Sequence, residues 1–262
     1  MKLSISNIAW APGDTAAVYS YMHKYGFTGL EIAPTAVFPE QPYADLERAK
    51  SWAERLKRDH GFSVSSMQSI WYGRTEQLFG TEQERAALLE YTFRAIDFAE
   101  AVGCPNLVFG CPRSRCTHSP EDIQTGIGFF RELGSYASAH GAVVAMEANP
   151  PIYNTNYINT TAEAIRLIRD VDSPGFLLNL DVGTMLCNEE SAELLRENAS
   201  LIHHVHISEQ GLKPISRRPL HKELAVLLKE TGYDGFVSVE MGKGCSTGEL
   251  GEIMAYVREV FS

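Results

Sequence analysis

Four side chains in the second half of this 262-residue chain have the types and the spacing to share one reaction. Glu147 stands in Val143-Val144-Ala145-Met146-Glu147-Ala148-Asn149-Pro150, and Asp181 in Phe176-Leu177-Leu178-Asn179-Leu180-Asp181-Val182-Gly183. His206 stands in His203-His204-Val205-His206-Ile207-Ser208-Glu209, and Glu240 in Val237-Ser238-Val239-Glu240-Met241-Gly242. Each lies at the end of a short run that reads as a strand. An acid at the end of a buried strand is costly unless something pairs with it. Taken alone, Asp181 reads equally well as a turn residue that caps the next helix. Together, two glutamates, an aspartate and a histidine make a hard, oxygen-rich ligand set with one imidazole. That set suits one divalent ion, Mn²⁺, Mg²⁺ or Co²⁺, and admits Zn²⁺ or Fe²⁺. It is not the thiolate set of a structural zinc site.

The elements that must position these residues follow from the periodicity. Strands are expected over 3–8, 29–33, 63–70, 106–110, 142–147, 176–181, 201–208 and 236–240. Helices are expected between them over 14–24, 43–58, 81–102, 120–140, 161–170, 189–198 and 220–231, with a last one over 247–261. The helix at 81 opens with Thr81 and Glu84 three residues on, a capping box. Strand followed by helix, eight times in about 250 residues, predicts an α/β chain folded as a single (β/α)8 TIM barrel, one domain over 1–262. An open doubly wound sheet usually carries a glycine-rich turn after its first strand, and Ile8-Ala9-Trp10-Ala11-Pro12-Gly13 has none. In such a barrel chemistry sits at the C-terminal ends of the strands. The four residues are separated by 34, 25 and 34 positions, about one strand–helix unit each, so they converge at one side of the mouth.

Composition narrows the partners. The formal net charge of −10 disfavours phosphate backbones and anionic membrane surfaces. No run has the length of a membrane span. The first residues enter a strand pattern with no signal-peptide core. Five cysteines without regular spacing indicate reduced thiols and a cytoplasmic protein.

The motifs Met146-Glu147-Ala148-Asn149-Pro150, Leu180-Asp181-Val182-Gly183, His204-Val205-His206-Ile207-Ser208-Glu209 and Val239-Glu240 resemble the xylose-isomerase-like barrel superfamily of sugar isomerases and epimerases, which includes the ketose 3-epimerases. The resemblance covers nearly the whole chain. It implies that Glu147, Asp181, His206 and Glu240 bind one divalent metal and that the two glutamates are the acid–base pair. The implied chemistry is α-proton abstraction from a sugar or sugar phosphate through an enediolate, with Glu240 abstracting and Glu147 delivering. The chain departs from the family where an Asp-x-x-His pattern places a substrate-binding histidine. Here that position is Thr184. A metal-dependent dehydratase or lyase acting on an inosose or keto acid starts with the same proton abstraction and is the alternative. A non-catalytic metal-binding barrel is a third reading. The apurinic-site endonucleases of the same fold need further histidines, and Gln68, Thr184 and Gln210-Gly211-Leu212-Lys213 stand where those are required. Barrels of this kind are often homo-oligomers.

Substrate-binding residues are expected among Glu209, His204, Gln68, Trp71 and Arg113. His204 shares strand parity with His206 and is also a candidate to support the metal site from behind, whereas His203 should point to the helix layer. Glu31 ends strand two and is either a substrate contact or a core residue. Trp10, Trp71 and Tyr72 could wall a sugar pocket. Arg113, Arg115, Arg217 and Arg218 are arginines of the mouth that could bind a phosphate or carboxylate. Cys111, Cys116 and His118 lack the spacing of a metal site.

Overall fold

In the computed structural model, which describes residues 1–262, eight parallel strands close a barrel in chain order. They are β1 Lys2–Ser6, β2 Phe27–Ile32, β3 Ser63–Met67, β4 Asn106–Phe109, β5 Val143–Glu147, β6 Phe176–Asp181, β7 Ile202–Ile207 and β8 Phe236–Val239. Nine α-helices lie between and after them: α1 Thr15–Tyr25, α2 Pro34–Val37, α3 Leu46–His60, α4 Glu82–Val102, α5 Asp122–Ala139, α6 Thr161–Val171, α7 Val182–Cys187, α8 Pro219–Glu230 and α9 Thr247–Phe261. This is a single (β/α)8 TIM barrel, as the strand–helix alternation predicts. No helix is long and apolar enough to cross a membrane. All five cysteines are free thiols.

The strands alternate in chemistry, and the alternation sorts the two layers. Leu178, Leu180, Val205, Ile207, Val237 and Val239 join the apolar core. The residues between them, Asn179, Asp181, His204, His206 and Ser238, are polar and turn inward. The inner face is held by hydrogen bonds across the barrel. Ser4 Oγ lies 2.5 Å from Ser65 Oγ, and Asn106 Nδ2 donates to Ser66 Oγ at 2.9 Å. Many of the polar groups of the interior find partners there, while Glu31 Oε1, Asn179 Oδ1, His204 Nε2 and Ser238 Oγ are left without one.

Two local features depart from the sequence reading. His203 does not point to the helix layer. The pairing of β6 with β7 shifts between Leu178↔Ile202 and Asn179↔His204, so His203 occupies a bulge. Its Nδ1 meets Asn106 Oδ1 at 2.8 Å, on β4, and burial lowers its pKa to about 4. The helix expected over 189–198 is a 3-10 segment, Ala192–Leu201, and α7 starts directly at the end of β6. The cause is Asp181, whose Oδ1 accepts the Thr184 N–H at 2.6 Å and caps α7.

Candidate active site

The barrel brings the four spaced residues together. Glu147 and Asp181 end β5 and β6, His206 is the last residue but one of β7, and Glu240 follows β8 by one residue. One ligand atom from each can be chosen so that all lie within 4.8 Å of one another. His206 Nδ1 is 3.0 Å from Glu147 Oε1 and 3.3 Å from Glu240 Oε2. Glu147, Asp181 and Glu240 face a cavity of about 220 Å³ at the C-terminal mouth.

Each of these side chains except Glu240 is oriented by partners outside the quartet. Asn179 Nδ2 donates to Glu147 Oε1 at 2.8 Å, and Asn149 Nδ2 to Glu147 Oε2 at 3.1 Å. Asn149 is in turn held by Arg115 Nη2 at 2.6 Å, and the same nitrogen donates to the Glu147 carbonyl at 2.9 Å. Asp181 Oδ2 accepts from the Ser208 hydroxyl while its Oδ1 caps α7. The helix-capping and the functional readings of Asp181 therefore describe the same carboxylate. Gly110 stands where a Cβ would come within 2.9 Å of Glu147 Oε2, so a side chain there would push the carboxylate aside.

Glu31 decides the state of His206. Its Oε2 lies 2.8 Å from His206 Nε2, across the barrel from β7. That contact occupies Nε2 and leaves Nδ1 as the nitrogen that faces the other carboxylates. A carboxylate behind a ligating imidazole fixes its orientation and tautomer. Replacing Glu31 by Gln should weaken Mn²⁺ binding about 10–100-fold with the fold intact. Titration with Mn²⁺ followed by calorimetry, with circular dichroism as the control, checks this.

Charge is concentrated here. Burial and the neighbouring Glu147 raise the Asp181 pKa to about 6, against the lowering effect of His206. Burial, with Glu147 and Glu31 nearby, raises Glu240 to about 7, again opposed by His206. Burial disfavours the imidazolium of His206, but Glu240 and Glu31 outweigh it and hold its pKa well above the usual histidine range. Burial would likewise raise Glu31, but the imidazoles of His206 and His204 hold it well below the usual carboxylate range. Four carboxylates thus gather around one imidazole. That donor set fits a divalent cation, which would let every acid ionise.

The other expected residues divide. Gln68 and Glu209 line the cavity. Glu209 is gripped by Arg218, with Nε at 2.9 Å and Nη2 at 2.7 Å, so its carboxylate is already committed. His204 does not reach the cavity. It is buried beside Glu31, its Nε2 3.1 Å from Oε2 but off the hydrogen-bonding direction. Trp71 packs edge-on against Phe109 and Phe129 and donates its indole N–H to Thr92 Oγ1 at 2.8 Å. Arg113 is exposed and lines a neighbouring cavity instead. Arg115 is fully buried, with Nη1 donating to Met146 Sδ, Nη2 to Asn149 and the Glu147 carbonyl, and Nε left without a partner. Thr184 is buried too, and its hydroxyl donates to the Ala148 carbonyl at 2.7 Å.

Sequence reasoning missed Asn179, Ser208 and Asn149 as supporting residues. Each stands two positions from a quartet member, where strand parity could have signalled the first two. It also missed Tyr153, which lines the cavity from the loop after β5 and accepts the Gly211 N–H at 2.8 Å. Nothing in the local sequence marks that residue.

A family model described as xylose isomerase-like TIM barrel matches residues 20–260. The chain belongs to this family. Among characterised relatives of this xylose isomerase-like barrel, the D-psicose 3-epimerase of Agrobacterium fabrum is 23% identical over 250 residues, covering 92% of this chain and 84% of that protein. The 3-keto-D-glucoside 4-epimerase of E. coli superposes with a TM-score of 0.79 at 23% identity, over 99% of both chains. The D-psicose 3-epimerase of Clostridium cellulolyticum H10 superposes with a TM-score of 0.80 at 17% identity, over 100% of both chains. At these identities the superpositions establish the shared barrel.

Proposed function

We propose that this xylose isomerase-like barrel is a metal-dependent sugar isomerase or epimerase that moves a proton at the carbon next to a carbonyl. The observation that carries the reading is the meeting of Glu147 and Glu240 at Nδ1 of His206, with Asp181 alongside. The relatives named above, epimerases of free or glycosylated sugars, favour the same class.

A divalent ion held by Glu147, Asp181, Glu240 and Nδ1 of His206 would act as a Lewis acid on the charge that develops on the substrate oxygens. Mn²⁺, Mg²⁺ and Co²⁺ suit the oxygen-rich set best. The protein's own residues do the rest. Glu240 takes the α-proton, and Glu147 returns a proton to the opposite face or to the adjacent carbon. The reverse reaction exchanges the two roles. Asn179 and Asn149 fix the direction of the Glu147 carboxylate, and Arg115 fixes Asn149 from below. Glu31 keeps Nε2 of His206 occupied.

The cavity also speaks to what reacts there. Beyond the metal-facing carboxylates its lining offers Gln68, Asn149, Tyr153 and Ser208 and no Lys or Arg. Such neutral donors and acceptors suit the hydroxyl groups of a polyhydroxy unit, and no cationic side chain stands there for a phosphate. With Thr184 turned into the protein, recognition of that unit differs from the histidine contact that the family pattern implies.

The test is proton exchange. D-fructose, D-psicose and inososes incubated in D₂O with Mn²⁺ should gain deuterium at the α-carbon, read by NMR, and lose that exchange with a chelator. Products should keep every oxygen. Release of water would instead favour a dehydratase. Metal binding without exchange on any of these substrates would favour a non-catalytic metal-binding barrel.

A further inference from the structure

The catalytic cavity continues beyond its own rim. Ser69, Cys111 and Pro112 wall both it and a second cavity of about 380 Å³. The second shares Tyr72, Gly73 and Arg74 with a third of about 580 Å³. The three lie side by side from the site across the loops after β4, β3 and β2, and together are called the groove.

The charged side chains differ along this groove. Those of the catalytic cavity are four carboxylates, Glu209 paired with Arg218 and the other three grouped at His206. Those of the two outer cavities are Arg74, Arg94 and Arg113, of which Arg94 pairs with Glu90 and Arg74 with Glu76. This happens in a chain of formal net charge −10. Arg113 is exposed and has neither an ion-pair nor a hydrogen-bond partner within the protein. Arg74 is stacked on Tyr91 with its guanidinium carbon 4.8 Å from the ring centroid, and one nitrogen is held by Glu76. Its Nε is buried without a partner. At the junction of the outer cavities stands Tyr72, 70% exposed, the most exposed large hydrophobic side chain of the protein. Ser69 and Cys111, on the wall shared with the catalytic cavity, both have left-handed backbone (φ 55° and 45°). Such strain in non-glycine residues clusters at binding sites.

We propose that the substrate is a conjugate rather than a free monosaccharide. The neutral reacting unit fills the catalytic cavity, and a second, anionic unit lies in the groove over Tyr72, its charge met by Arg113. A carboxylate or a phosphate has the acceptor geometry that guanidinium groups bind. An exposed ring beside them offers an apolar face to a sugar or other flat group. This proposal rests on the reading of the catalytic cavity as a sugar site, and it gives Arg113 an anion to bind outside that cavity.

The experiment is calorimetry at low salt on the full chain with Mn²⁺ present, using cellobiose, the glucuronate-bearing disaccharide of the same linkage, and glucose 1-phosphate. At least one anionic ligand should bind ten or more times tighter than cellobiose, and which one identifies the charged group. Arg113→Gln should remove at least fivefold of that preference, and Tyr72→Ser should weaken the preferred ligand by a similar factor. Neither change should alter Mn²⁺ affinity, which reports an intact site. The proposal is overturned if cellobiose binds as well as both anions, if no conjugate binds, or if Arg113→Gln leaves the preference whole. Asp181→Asn, which disables the metal site, should keep the anion preference. Failure of the catalytic reading is thereby separable from failure of the groove.

Discussion

Replacing Glu240 by Gln should lower kcat for epimerisation about 10²–10⁴-fold, the usual loss when a positioned acid or base is removed. The substitution keeps the shape of the side chain and one oxygen for the metal, so the loss falls on proton transfer. Glu240 is suited to that task by its surroundings. It lies one residue past β8 with little exposure, its Oε2 3.3 Å from His206 Nδ1 and its carboxylate facing the cavity. The same change at Glu147 should give a loss of similar size. The two variants should differ in which partial reaction survives. With a substrate deuterated at the α-carbon, Glu240→Gln should fail to wash out the label. Glu147→Gln should still wash it out slowly while forming little epimer. Equal wash-out by wild type and Glu240→Gln would remove Glu240 from the reaction.

Metal loading should change stability more than any single surface substitution. A ligand that binds only the folded chain adds about 4 kcal/mol at a thousandfold excess over its Kd. For a barrel of this size that raises Tm on the order of 10 °C. The gain should grow with pH, and the sign follows from the acids. Asp181 and Glu240 have folded pKa values of about 6 and about 7, above their unfolded values. A raised carboxylate pKa means that the folded chain holds the proton more tightly than the unfolded one. The metal-free protein therefore loses stability as pH rises from about 4 through 7. His206, also raised, acts in the same direction as pH rises from about 6.5 upwards. Glu31, lowered, contributes stability above about 4.5 that is lost only on acidification below it. A bound cation removes the repulsion and competes with those protons. Differential scanning fluorimetry at pH 5 and pH 8, with Mn²⁺ and with chelator, should show a small metal shift at the lower pH and a large one at the higher. A shift independent of pH would mean that these carboxylates are not its ligands.

The sequence by itself determined the barrel and its quartet. Apolar runs broken by helical segments at regular intervals leave a parallel closed sheet as the economical fold. In such a sheet, ends of consecutive strands must be neighbours. The spacing of Glu147, Asp181, His206 and Glu240 was therefore already a statement about distance. Capping was equally legible: Thr81 and Glu84 make the box expected of them. Asp181 carried two readings in the sequence, and in the fold it serves both, since a strand-end carboxylate can cap α7 with one oxygen and face the cavity.

Only the tertiary structure decided what lies across the barrel or in the loops. Glu31 reaches His206 from 175 residues away, through a closure that no local pattern encodes. One bulge between β6 and β7 sent His203 inward against strict alternation, because a one-residue shift reverses the face a side chain points to. Arg113 and Arg115 are two positions apart and alike in sequence. The path of their loop buries Arg115 beneath Glu147 and leaves Arg113 in the outer groove. Strand periodicity fixes end and face. Loop conformation and contacts between distant strands depend on how the whole sheet closes, and these set how the four side chains are held and where the cavity opens.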